Sequence, residues 1–145
     1  MITIDEMKAD DAKEFARIDK ECFAIPWSEK SFCDEYKNDI ATYFAARIDG
    51  ECAGYIGFWN TGDITNVAVC EKYRRRGVGG MLISAAVSRA EKTGLYELTL
   101  EVRRSNKAAR SLYEKYGFSP IGLRKRYYRD NNEDAIIMSR PLKEQ

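Results

Sequence analysis

The chain has 145 residues, 44% of them hydrophobic, with 24 Lys and Arg against 23 Asp and Glu for a net charge of +1. That is one domain's worth of protein, read as a single domain over 1–145, and too apolar to be disordered by composition. The near-neutral balance predicts no direct binding of nucleic acid or anionic membrane, and no apolar run approaches the roughly 20 residues that span a bilayer.

Ile2-Thr3-Ile4 reads as a short first strand. The segment around it lacks the basic and apolar blocks of a secretory signal, so a cytoplasmic location is expected. From Ala9 to Phe23, apolar residues at Ala12, Phe15, Ala16, Cys22 and Phe23 follow helical spacing. Pro26-Trp27 interrupts that helix, and Ser28 can cap a second one with Phe32, Cys33 and Tyr36 on one side. Tyr43 to Ile48 and Cys52 to Trp59 read as strands joined by Asp49-Gly50, a hairpin signal. Asn60 to Asp63 turns into a third strand, Ile64 to Val69.

A helix is then predicted from Val78 to Lys92, with Val78, Met81, Leu82, Ala85 and Ala86 facing the core and Gly94 ending it. Tyr96 to Val102 alternates as a half-buried strand, with Glu97, Thr99 and Glu101 on its polar face. The next helix, Asn106 to Tyr116, carries the stripe Ala108, Ala109, Leu112, Tyr113 and Tyr116, with Gly117 behind it. Phe118 to Tyr128 and Ala135 to Met138 complete the strands. A mixed α/β (α+β) sandwich results, not a doubly wound fold, because the strands cluster before the helices alternate.

The four cysteines include no CxxC pair and read as reduced thiols. Histidine is absent, which removes Ser-His and Cys-His nucleophile pairs and most zinc sites. Proton chemistry must therefore use Glu, Asp, Lys, Tyr, Cys or water.

The most informative stretch runs from Val67 to Gly80: a strand, the basic turn Arg74-Arg75-Arg76, then Gly77-Val78-Gly79-Gly80 opening a helix. Glycines let backbone N–H groups converge on a ligand, and a helix start adds positive potential, which makes a pyrophosphate cradle. The Gly-Lys-Ser/Thr ending of a Walker loop is missing, and the third glycine of a dinucleotide fingerprint is replaced by Leu82. A glycine-rich helix start with solvated arginines is the plainer reading.

Arg74-x-x-Gly77-x-Gly79 after a strand resembles the acetyl-CoA loop of the GNAT superfamily of N-acetyltransferases. The following unit is similar too: a strand, Ser105-Asn106-x-x-Ala109, then Leu112-Tyr113-x-x-x-Gly117-Phe118. Within the superfamily the chain resembles RimI-type enzymes, which acetylate the N-terminal alanine of a small-subunit ribosomal protein. Pro26-Trp27-Ser28, Leu100-Glu101-Val102-Arg103, Arg124 to Tyr128 and Glu133-Asp134-Ala135 carry that likeness. Cys70 departs from it, since relatives usually carry a small acid there.

The resemblance implies a GNAT fold, a mixed, mostly antiparallel central sheet flanked by helices on both faces. It implies acetyl-CoA as co-substrate, no metal and a ribosomal-protein N-terminus as acceptor; the sequence leaves the oligomeric state open, with a monomer favoured. Val67, Ala68 and Val69 would pair with the pantetheine arm. Arg75, Arg76, Gly77, Val78, Gly79 and Gly80 would hold the pyrophosphate, and Asn106 would bond the cofactor. Glu101 would be general base and Tyr113 general acid.

By themselves the residues leave choices open. Glu101 is a solvated strand residue or a base; Tyr113 is core or an acid; Asn106 caps its helix or meets a ligand. Asn106 and Tyr113 are seven residues apart and share a helix side. Arg124-Lys125-Arg126 with Tyr127 and Tyr128 is a wet strand or part of a peptide groove. The competing functions are acetylation of another amine (polyamine, antibiotic or lysine) and a non-catalytic, acetyl-CoA-responsive ribosome-binding module.

Overall fold

The computed structural model describes residues 1–143. Strands β1 (Ile2–Glu6), β2 (Ala41–Ile48), β3 (Glu51–Trp59) and β4 (Ile64–Val69) form an antiparallel sheet in chain order. Asp49 and Gly50 both turn left-handed between β2 and β3, at φ 51° and 83°, as an Asp-Gly hairpin requires. Strands β5 (Glu97–Arg103), β6 (Ser119–Arg124) and β7 (Ala135–Pro141) form a second antiparallel sheet, with β7 in the middle. The expected central sheet is thus split in two. A single parallel bridge, Asp63 to Thr99, joins the halves.

A bulge marks the place where they part. Phe58 pairs with Ile64 but Gly57 pairs with Asn66, which leaves Thr65 as the extra residue on β4. Such an insertion bends a strand. The Thr65 hydroxyl lies 2.8 Å from the Tyr43 hydroxyl, which anchors the bulge on one face.

Strand alternation sends Tyr43, Ala45 and Tyr55 to one face, where α1 (Asp11–Cys22) and α2 (Glu29–Tyr36) bury Phe15, Ile18 and Phe32 against them. Phe44, Ala46 and Ile56 point to the other face and meet Val78, Leu82, Ile83, Ala86 and Ala90 of α3 (Val78–Lys92). Each such large side chain, fully buried, contributes about 1.5–3 kcal/mol. Helix α4 (Lys107–Lys115) adds Tyr113 to the same core. Helices therefore cover both faces, as expected.

Several positions differ from the expectation. Met81 is 39% exposed, because the buried stripe of α3 runs beside it through Ile83 and Ala90. On α2, Tyr36 is exposed and Glu35 is buried instead, where it accepts from Tyr43 Oη (2.7 Å) and Trp59 Nε1 (2.9 Å). Tyr96 precedes β5 and is 83% exposed. Ala108 is exposed on α4. The strand expected to Tyr128 ends at Arg124, and the chain then loops to β7. Among the described residues, no helix is long and apolar enough to cross a membrane.

Candidate active site

Beyond the Asp63–Thr99 bridge, β4 and β5 line a cleft of about 370 Å³. Its other walls are the α1–α2 connection (Phe23, Ile25, Trp27), α4 (Asn106, Tyr113) and the β6–β7 connection (Tyr127, Tyr128). The cleft brings Glu101, Asn106, Tyr113 and Val67 together.

The β4 edge is half committed. Cys70 N donates to Ala53 O of β3 (2.8 Å), so alternation turns the backbone of Ala68 toward β3 as well. Val67 and Val69 direct their N–H and C=O groups the other way, along the open edge. Val69 O already accepts from Arg74 Nε at 3.2 Å. Of the three residues assigned to a pantetheine arm, Ala68 therefore has no free backbone group to offer, because β3 uses it.

After β4 the chain makes one 3₁₀ turn, Glu71–Tyr73, and enters α3 through Arg75 (φ 66°) and Gly77 (φ 82°). No side chain caps α3, and its first turn carries no acid, so the amides of Val78, Gly79 and Gly80 have no intrahelical partner. Free amides on a positive helix end suit a diphosphate. Arg75 and Arg76 are exposed beside them, and the Arg76 guanidinium lies 5.6 Å from the Tyr73 ring centre. Arg74 instead braces the loop, donating to Val69 O and, at 3.2 Å, to Cys22 Sγ. Gly80 is a packing glycine as well: a Cβ there would lie 2.0 Å from Tyr116 Oη.

Asn106 is the N-cap of α4, its Oδ1 accepting from Ala109 N at 3.2 Å. The capping reading holds, and Asn106 also lines the cleft, its amide nitrogen without a hydrogen bond among the described residues. Tyr113 is both core and cleft. Its ring packs on Phe118 (centres 5.9 Å apart), and its hydroxyl has no hydrogen-bond partner among the described residues. Burial pushes the Tyr113 phenol well above its ordinary pKa, with neighbouring Tyr128 adding to the shift. It keeps its proton at neutral pH and is able to donate it in a hydrogen bond. Glu101 is half-buried and accepts from Arg124 Nε at 3.1 Å. Arg124 is exposed on β6, as a solvated strand would have it, and this bond to Glu101 ties it to the cleft. Half-buried Tyr128 is pushed up to about 12 by burial, opposed by Arg103.

The α1–α2 wall was not foreseen. Behind it, Asp19 is completely buried, accepting from Tyr55 Oη and from Trp27 N (3.1 Å). Burial raises its carboxyl. Asp19 falls on the same helical stripe as Phe15 and Ala16, and that spacing was the available signal. Cys70 is buried with its thiol pushed up by burial, which removes it further from nucleophilic chemistry.

Comparison with known proteins identifies the family. The model of the Acetyltransferase (GNAT) family matches residues 12–118. The chain is 40% identical over 136 residues to a putative [ribosomal protein bS18]-alanine N-acetyltransferase of Bacillus subtilis, covering 91% of this chain and 90% of the relative. It is 35% identical over 147 residues to the [ribosomal protein bS18]-alanine N-acetyltransferase of Escherichia coli K12, covering 98% and 99%. The crystal structure of the ribosomal-protein-S18-alanine N-acetyltransferase from Escherichia coli superposes with a TM-score of 0.91 at 34% identity, covering 100% of this chain and 96% of that one. Fold, cleft and sequence converge: the chain belongs to the GNAT family and is an acetyltransferase.

Proposed function

We propose that this acetyltransferase moves the acetyl group of acetyl-CoA to the α-amine of the N-terminal alanine of ribosomal protein bS18, by direct transfer in the cytoplasm. What carries the reading is the near full-length match, 98% of this chain, to an enzyme named for that reaction.

The chain's own residues fit the co-substrate. The open β4 edge offers Val67 and Val69 N–H groups to an extended amide arm. The free amides of Val78, Gly79 and Gly80, with Arg75 and Arg76, suit its diphosphate, and Asn106 Nδ2 is free to donate. Glu101 acts as general base, directly or through a water, on the acceptor ammonium. The neutral amine then attacks the thioester carbonyl and the C–N bond forms; as the C–S bond breaks, the proton shed by the attacking nitrogen is balanced by protonation of the departing thiolate. Tyr113 donates a hydrogen bond to the departing sulfur.

The acid–base arithmetic favours an α-amine. With a pKa near 8, roughly a tenth is neutral at pH 7, whereas a lysine near 10.4 is almost wholly charged. A buried phenol makes Tyr113 a donor to developing charge rather than a source of a fully transferred proton.

A turnover assay tests the reading. An alanine-starting peptide from the acceptor's N-terminus should be acetylated, and a polyamine, an aminoglycoside and a lysine peptide should not. Turnover on one of those amines alone would replace the acceptor. Acetyl-CoA binding with no turnover on any amine would favour the non-catalytic module.

A further inference from the structure

Arg103 is two residues beyond Glu101 on the same face of β5, yet its guanidinium does not reach toward the glutamate. It donates from Nη2 to Asp130 Oδ1 (2.9 Å) and from Nη1 to Asn131 Oδ1 and Glu133 Oε1 (both 3.3 Å). Its central carbon also lies 4.0 Å from the centre of the Tyr128 ring. Four residues of the β6–β7 connection thus converge on one side chain of β5. An exposed ion pair does little by itself, but a planar fork that meets several acceptors and stacks on a ring fixes both distance and orientation.

What it holds is a wall of the cleft. Tyr127 and Tyr128 line the cleft opposite the α1–α2 connection, their rings edge to face at 5.1 Å. Otherwise the connection closes mostly on itself: Tyr128 N donates to Glu133 O, Asn132 N to Tyr128 O, and Arg126 N to Asp134 Oδ1. Its ties to the β5–α4 junction are Arg104 with Asp134, Ser105 N on Glu133, and the Arg103 fork. Of these, Arg103 is the one that reaches Tyr128, while the Tyr127 ring is met by Arg124 of β6 at 5.9 Å.

We infer that Arg103 is a positioning residue for the acceptor: it seats Tyr128, and with it Tyr127, over the cleft so that the incoming amine is presented to Glu101. The inference rests on the acceptor reading above for its kinetic consequence, but not for its structural one. Loss of the fork should loosen the β6–β7 connection and weaken acceptor binding, leaving acetyl-CoA binding on β4 and α3 untouched. A lysine keeps the charge but cannot form the fork or stack as a plane, so Arg103→Lys should behave largely as Arg103→Ala does.

The test uses wild type, Arg103→Ala and Arg103→Lys. Hydrogen exchange of the Tyr128 and Asn132 amides should quicken about tenfold or more in both variants, while β5–β7 ladder amides keep their wild-type rates. In steady-state kinetics the acceptor KM should rise about tenfold with the acetyl-CoA KM unchanged. Wild-type exchange in the loop would overturn the inference whatever the acceptor proves to be. A loosened loop with an unchanged acceptor KM, in an enzyme that does acetylate the peptide, would overturn it too, because the wall would then be structural only. If wild type fails to acetylate the peptide, the acceptor reading falls, and the exchange result alone decides the role of Arg103.

Discussion

The phenol oxygen of Tyr116 lies 2.0 Å from the point where a side chain on Gly80 would begin, so the end of α4 is seated against the first turn of α3. The two motif-bearing helices are packed into one unit. Gly80→Ala should therefore push Tyr116 aside and cost about 1–3 kcal/mol of stability, as overpacking does. Paired with Tyr116→Ala, the cost should be clearly less than the sum of the two single changes, measured by denaturant unfolding.

Gly77 plays a different part. It sits at φ 82° with open space where a side chain would go. Gly77→Asn keeps a residue that tolerates the left-handed region but fills the approach to the free amides. Acetyl-CoA affinity should fall about tenfold, roughly 1.4 kcal/mol, with little loss of melting temperature. Calorimetry giving wild-type affinity for the folded variant would remove the cradle.

Glu101→Gln keeps the shape and loses the base. Turnover at pH 7 should drop about 100-fold or more, while acetyl-CoA binding stays near wild type. Part of the loss should return at high pH, where the amine sheds its own proton. A variant as fast as wild type at neutral pH would make Glu101 only the partner of Arg124.

Tyr113→Phe separates ring from hydroxyl. The ring fills the core against Phe118, and the hydroxyl has no protein partner to lose among the described residues. Melting temperature should barely move, whereas turnover should fall by about 10²–10⁴. A destabilised, fully active variant would take Tyr113 out of the mechanism.

Buried phenols and thiols together set the alkaline limit of stability. Burial raises Tyr43, Tyr55 and Tyr113 above their ordinary pKa, and the carboxylates Glu35 and Asp19 add to the first two. For a group whose folded pKa lies above its unfolded one, the stabilisation is complete below the unfolded value, about pH 10 for the phenols. It is lost as pH climbs beyond that value toward the folded one. The buried thiols of Cys52 and Cys70, also raised by burial, act first, so denaturant midpoints should begin to fall near pH 9 and drop more steeply above about pH 10. Tyr55→Phe should lower stability at pH 8 but flatten the fall above pH 10.

Local chemistry in the chain was enough for most elements. Asp49-Gly50, Ser28 before α2, and Gly94 and Gly117 after α3 and α4 punctuate the chain through their own backbone and capping preferences. Alternation in β5 and the stripe of α3 report which side is apolar. The glycine loop and the Asn106–Tyr113 spacing were legible as both halves of the candidate site, because a loop and a helix side are short-range features.

Tertiary structure decided the rest. Thr65 becomes a bulge only when β4 pairs with β3, and the cleft exists because β4 and β5 part beyond one bridge. Pairing also turned the Val67 and Val69 N–H groups to the open edge and that of Ala68 toward β3. Gly80 faces Tyr116, Arg103 meets Asp130 and Glu133, and Glu35 is buried under Tyr43 and Trp59. Each of these joins residues far apart in the chain. Periodicity records the side a residue turns to, and only packing determines what it meets there.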